Sequence, residues 1–182
     1  MMAGGSATNA FSFLVETLFH LYLVALMLRV LLEGIGADYY NPICQALVKV
    51  TDPVVRPLSK VLPRVGPISL AGLAALYIVQ LLALVAVGLI VGWKLDPLVF
   101  ALLALMRLIR LLLVLYLILI IIGVILSWVG HGVRHPIVPL IFQLTQPVLA
   151  PIRRVLPSLG GFDLSPLVAI ILIQFLIILL AV

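Results

Sequence analysis

The sequence predicts an all-α membrane protein with four transmembrane helices, arranged as two parallel two-helix repeats, each with a proline-broken amphipathic interfacial segment. Three observations lead there. Of 182 residues, 65% are hydrophobic and 9% charged, with a mean hydropathy of +1.41, whereas soluble domains carry roughly a quarter charged residues. Four apolar stretches each approach the ~20 residues needed to cross a hydrocarbon core about 30 Å thick. A set of proline motifs recurs at one fixed interval.

Stretches 65–93, 111–133 and 164–182 hold no Asp, Glu, Lys or Arg, and 11–32 is interrupted only by Glu16, His20 and Arg29. A bilayer offers the backbone no hydrogen-bond partners, so such spans must be helical. The expected spans are about 11–32, 69–92, 111–129 and 164–182. Residues 1–9 lack the Lys or Arg of a signal peptide, and no targeting segment is expected. Cys44 is the lone cysteine. It permits no intramolecular disulfide, and an inert interfacial thiol is the expectation over a reactive or acylated one.

Asn41-Pro42 matches His135-Pro136, Thr51-Asp52-Pro53 matches Thr145-Gln146-Pro147, and Pro57 matches Pro151. Lys60-Val61-Leu62-Pro63 matches Arg154-Val155-Leu156-Pro157, Gly66 matches Gly160, and Gln80 matches Gln174. Every pair is 94 residues apart, as Thr51 is from Thr145, without a gap from 41 to 82. Residues 1–94 therefore form the first repeat and 95–182 the second. Two crossings per unit bring the chain back to its starting side, so both units point the same way, about an axis along the membrane normal.

The segments between spans, 41–63 and 135–157, begin with an apolar stripe at helical spacing: Ile43, Ala46, Leu47 and Val50, then Ile137, Leu140, Ile141 and Leu144. A helix in the interfacial plane with this stripe toward the acyl chains is the expectation; packing against the bundle is the alternative. Asp52-Pro53 reads as a new helix start, and the proline four residues later as a kink or fresh start. Ser69 is a cap for the second span, and Asp163 with Pro166 for the fourth. Asp96-Pro97 is expected to open a short interfacial helix, with Arg107 and Arg110 bordering a separate span from 111.

A net charge of +5 and a pI near 9.8 would raise nucleic acid as a partner in a soluble protein. Here the basic residues flank apolar spans, so no direct nucleic-acid partner is expected. Arg29, Lys49, Arg56, Lys60, Arg64, Arg134, Arg153 and Arg154 lie on the side of the proline segments, against Lys94, Arg107 and Arg110 opposite. The positive-inside rule puts the proline segments in the cytoplasm and both termini outside. Arg56, Lys60, Arg64, Arg153 and Arg154 are candidate contacts for lipid head groups or a partner, with ordinary anchoring as the alternative.

Glu16, Gln80 and Gln174 are the candidate intramembrane polar contacts, since an ionisable group in lipid costs ~2.5–3.5 kcal/mol on insertion scales. The two glutamines hold matching positions and are expected to face each other, as interhelix hydrogen bonds or a polar path. His20, His131 and His135 are too scattered for one metal or haem site, and no cofactor or metal is expected. The glycines at 88 and 92 read as a helix-packing face. No paired carboxylates, nucleophile set, phosphate-cradling glycine loop or zinc spacing occurs, so an enzyme is not expected.

Tyr40-Asn41-Pro42, the run from Thr51 to Pro57 and that from Gln146 to Pro157 together resemble the YggT (YlmG-like) family signature. So do Ser127-Trp128 and Gly160-Gly161-Phe162-Asp163-Leu164-Ser165-Pro166. The two-repeat arrangement looks like the long form of proteobacterial inner membranes. The resemblance implies a multi-pass membrane protein of the bacterial cell inner membrane, linked to osmotic stress tolerance with potassium uptake and to cell-division gene neighbourhoods. In plastids it implies links to cytochrome b6f maturation and nucleoid organisation. It brings no catalytic or binding residues. Pro67-Ile68-Ser69-Leu70-Ala71-Gly72 departs from the pattern of the second repeat. The expected function is a non-enzymatic scaffold or assembly factor, with membrane lipids and other membrane proteins or a second copy as partners. It is favoured by the repeated stripe and the lack of buried charge. The alternative is a subunit of an ion channel or transport system for potassium.

Overall fold

The computed structural model describes residues 3–38, 40–93, 96–129, 135–155 and 163–180. It is all-α, with six helices: α1 (Ala3–Gly34), α2 (Pro42–Ser59), α3 (Leu70–Val91), α4 (Pro97–Val129), α5 (Ile137–Val155) and α6 (Ser165–Leu180). A two-residue hairpin, β1 (Arg64–Val65) against β2 (Ile68–Ser69), turns through Gly66 (φ 59°) and Pro67. Among the described residues three helices are long and apolar enough to cross a membrane, over Gly5–Gly34, Leu70–Val91 and Pro97–Trp128, while the apolar α6 is shorter at 16 residues. These apolar helices make the chain a membrane protein by length and composition.

Helix ends follow local chemistry. At the end of α1, Gly36 (φ 66°) lets the Ala37 amide reach Leu32 O at 2.9 Å and its own amide reach Glu33 O at 3.2 Å. That double bond satisfies carbonyls the helix leaves open. Asn41 caps α2, accepting from the Ile43 amide at 2.9 Å, with Pro42 in the first turn. The expected Ser69 cap forms: its hydroxyl accepts from the Gly72 amide at 3.1 Å. Asp163 accepts from the Ser165 amide at 2.9 Å and starts α6. Gly92 (φ 81°) ends α3, its amide and that of Trp93 both reaching Gly88 O at 2.8 Å.

Several expectations need correcting. The proline segments are not broken: α2 runs through Pro53 and Pro57, and α5 through Pro147 and Pro151. All four prolines lie on exposed faces, where the carbonyls they free need no protein partner. Asp52 therefore starts no helix. The stripe of α5 faces the protein, with Leu140, Ile141 and Leu144 buried; in α2 the buried side is Cys44, Thr51 and Val55, while Ala46 and Val50 are exposed. Helix α4 is a single helix of 33 residues, about 50 Å at 1.5 Å per residue. No glycine or proline separates Phe100 from Leu113, so nothing interrupts it at the arginines. Gly92 is a terminal cap rather than a packing residue. Gly88 does face a neighbour, since a Cβ there would lie 3.2 Å from the Phe100 ring. Of the described glycines Gly72 is the most tightly enclosed, since a Cβ there would fall 2.7 Å from Val30 Cγ2.

The 94-residue interval extends into the packing. Helices α1, α2 and α3 pack together, as do α4, α5 and α6. Leu26, Val55, Ala75 and Val79 belong to the larger core, which also takes in Leu111 and Leu115 of α4 and Leu140, Ile141 and Leu144 of α5. Ile120, Leu149, Ala169 and Ile173, each 94 residues later, form a smaller core between α4, α5 and α6. Helices α1 and α4 run in the same sense: Glu16 pairs with Arg107 toward their N-terminal ends, and the Asn41 side-chain Nδ2 donates to Pro136 O at 2.7 Å beyond their C-terminal ends.

Candidate functional site: two polar clusters and a cavity

The first polar cluster ties α1 to α2 and the hairpin. Arg29 donates from Nε to Glu33 at 2.8 Å, and from Nη1 to Asp52 at 2.8 Å and the Thr51 hydroxyl at 2.9 Å. Arg64 closes the other Glu33 oxygen at 2.9 Å. The Arg29 and Glu33 side chains are 10% and 4% exposed. Buried ions are tolerated only when paired and fully hydrogen-bonded, and this set meets that demand. It overturns the expected lack of buried charge. Arg29 and Glu33 sit four apart on one helix, a spacing that favours pairing; that was the signal by which sequence reasoning could have found them. Nothing local announced Asp52 as the third member.

The second cluster joins α1, α3 and α4. Glu16 accepts from Arg107 at 2.9 Å, beside a cavity of about 290 Å³ also lined by His20, Gln80 and Arg110. Gln80 is 5% exposed, and among the described residues its carboxamide has no hydrogen-bond partner. Glu16 and Gln80 are thus brought together, with Arg107 as the member the sequence did not reveal. Gln174 is exposed on α6 and lies outside this cavity, so the expected facing pair of glutamines does not form.

The third feature is a cavity of about 670 Å³ between α4, α5 and α6, with Gly123, Ser127, Thr145, Gln146, Arg153 and Asp163 among its lining. Gly123, Ser127, Thr145 and Gln146 stand 94 residues after Arg29, Glu33, Thr51 and Asp52. Thr51 and Thr145 keep the same role, each hydroxyl donating to the carbonyl four residues back (2.6 Å to Leu47, 3.0 Å to Ile141). The ionic members are gone, and space is left. At the rim Arg153 contacts Asp163 at 2.7 Å and Gln146 at 3.4 Å. Burial pushes the Asp163 carboxyl up, but Ser165 and the Arg153 guanidinium outweigh it and hold it below the usual carboxylate range. The Ser165 amide supplies a full hydrogen bond, while its buried hydroxyl lies beside the carboxylate without reaching that geometry.

Of the basic candidates, Arg64 and Arg153 are spoken for by carboxylates. Arg56, Lys60 and Arg154 are exposed and make no ion pair among the described residues. Cys44 is buried, and burial, then the Asp38 carboxylate, raise its thiol pKa, which suppresses the reactive thiolate. His135 is exposed and its Nδ1 accepts from the Ile137 amide at 3.3 Å. Lys94, His131, Arg134, and the expected motif residues from Leu156 to Phe162, lie outside the described residues.

Comparison with known proteins finds the same doubling. The sequence profile of the CCB3/YggT family matches twice, over residues 8–90 and 102–182. The chain belongs to the CCB3/YggT family. It is 42% identical over 172 residues to a Vibrio alginolyticus protein named for the proC 3′ region, covering 92% of this chain and 91% of that one. It is 38% identical over 165 residues to YggT of Escherichia coli K12, covering 91% and 86%. A Pseudomonas aeruginosa relative is 35% identical over 166 residues, covering 90% and 84%. No solved structure matches it. The two matches begin 94 residues apart, at 8 and 102, so this family member carries the family unit in duplicate.

Proposed function

We propose that this YggT-family chain is a non-enzymatic scaffold or assembly factor of the bacterial inner membrane, with a part in osmotic stress tolerance. It crosses the bilayer four times as two parallel units, 1–94 and 95–182, with α2, α5 and the hairpin on the cytoplasmic side. The supporting observation is the docking of α2: the Arg29, Glu33, Asp52 and Arg64 network fixes it to α1, leaving Arg56 and Lys60 exposed. Arg154 of α5, 94 residues after Lys60, adds to that basic face. A fixed, basic surface beside the headgroups suits a membrane protein partner, a second copy or anionic lipid.

Cross-linking in native membranes followed by mild extraction tests this reading. Wild type is expected to bring down a companion, which the triple change Arg56→Glu, Lys60→Glu and Arg154→Glu loses. A chain recovered alone and monomeric in both forms would contradict it.

A second reading, a potassium channel or transport subunit, is favoured by the cavity holding Glu16, His20 and Gln80. Its charge argues otherwise. Arg107 and Arg110 outnumber Glu16, and a positive lining repels a cation in a low-dielectric site. Potassium flux in liposomes that Gln80→Leu abolishes would reverse this ranking.

A further inference from the structure

Resting on the membrane placement proposed above, we propose that the cavity between α4, α5 and α6 binds one phospholipid with an anionic headgroup. The space is built into the backbone. Gly123 stands where the first repeat has Arg29, and a Cβ added there would meet nothing closer than Ile141 Cγ2 at 3.8 Å. Ser127 stands where the first repeat has Glu33. The resulting volume, about 670 Å³, lies in the range of pockets that hold a small molecule, roughly 300–1,000 Å³.

The lining divides by chemistry. Ile120, Leu149, Leu167 and Ile170 give an aliphatic wall, whereas Ser127 and Arg153 are polar. Aliphatic walls do not retain water, which needs several polar partners. An amphiphile satisfies both parts. The two levels also match a lipid: Ile120 precedes Ser127 by seven residues, about 10 Å along α4, so one wall lies at acyl depth when the other meets the headgroups. Charge selects the headgroup. Within the lining Asp163 balances Arg153, and Arg154, next in the chain but outside the lining, is exposed with no carboxylate among the described residues, so the positive charge lies beside the mouth rather than in it. A phosphate fits that balance, and a basic pocket between helices is a known form of lipid recognition.

The test uses the full chain reconstituted in phosphatidylcholine with a minor fraction of phosphatidylglycerol, then native mass spectrometry after mild extraction. Wild type is expected to retain one more phospholipid, enriched in phosphatidylglycerol, than Gly123→Leu, whose side chain fills the cavity. Ser127→Leu should lose the same lipid, which guards against misfolding of one variant. Arg154→Gln should keep the lipid but lose about fivefold of its preference for phosphatidylglycerol, the effect of one basic side chain near an anionic surface. Equal lipid number and preference in wild type and both filled variants would overturn the proposal, as would a cross-linker at Ser127→Cys that captures protein instead of lipid. Recovery of folded chain with no lipid and no detergent would instead sink the membrane placement on which it rests.

Discussion

At one place in its two repeats this protein makes opposite arrangements. In the first, the buried Arg29–Glu33 pair fills the junction of α1 and α2, and the partly exposed Asp52 completes its bonding. In the second, Gly123, Ser127 and Gln146 stand at the matching positions and leave a cavity. The ion pair of the second repeat has moved to the rim, where Arg153 and Asp163 are 45% and 41% exposed. The surrounding framework is shared, down to the buried threonines and the four core positions that correspond one for one. Duplication thus preserved the helix packing and freed one junction to become a seal and the other an opening.

The largest expected effect is at the seal. Glu33→Ala removes the buried partner of Arg29 Nε, leaving Asp52 and Thr51 on Nη1, and removing one partner of a buried pair costs up to about 3–5 kcal/mol. Ser127→Ala, its counterpart, should cost under about 1 kcal/mol, near the net value of one ordinary hydrogen bond. Thermal unfolding in detergent compares them; equal losses would erase the distinction between the repeats. Next come the glycines. Gly72→Ala drives a Cβ into Val30, a stiff β-branched neighbour, and overpacking of this kind costs about 1–3 kcal/mol. Gly123→Ala should instead be neutral or stabilising by up to about 1 kcal/mol, since the position is open and alanine favours helix. A Gly123→Ala variant as damaged as Gly72→Ala would mean that the cavity is closed.

Much of this was legible in the sequence, and the failures have physical causes. The long apolar helices followed from the apolar runs, and the Ser69 and Asp163 caps from local hydrogen-bond needs. The prolines misled because their effect depends on where the freed carbonyl points. Pro53, Pro57, Pro147 and Pro151 all lie on exposed faces, and the helices continue. Arg107 and Arg110 looked like a border because charge in an apolar run signals an end, yet Glu16, 91 residues away, supplies a partner for Arg107. Such distant pairings leave no local trace. The cavity was equally hidden: a glycine in an apolar helix says that space exists, not what the neighbours do with it.

Two smaller effects sharpen the comparison. Glu16→Gln weakens the Arg107 contact at the opposite end, where both side chains are partly exposed, and should cost about 1 kcal/mol or less by the same unfolding assay. At the rim of the cavity, Asp163 is held below its ordinary pKa, so it binds a proton more readily unfolded than folded. Its contribution is complete above about pH 4 and fades as pH falls through the depressed folded value. Wild type should lose slightly more stability than Asp163→Asn between about pH 5 and 3. Parallel curves would remove the Arg153 contact from the account.

The claim beneath all of this is that the two halves stand in the same sense through the bilayer. Lys60→Cys and Arg154→Cys, 94 residues apart, test it directly in a chain whose native thiol is removed by Cys44→Ala. A membrane-impermeant maleimide applied to sealed, oriented vesicles should label both or neither from a given side. Labelling of one from the outside and the other only after the vesicles are opened would contradict it.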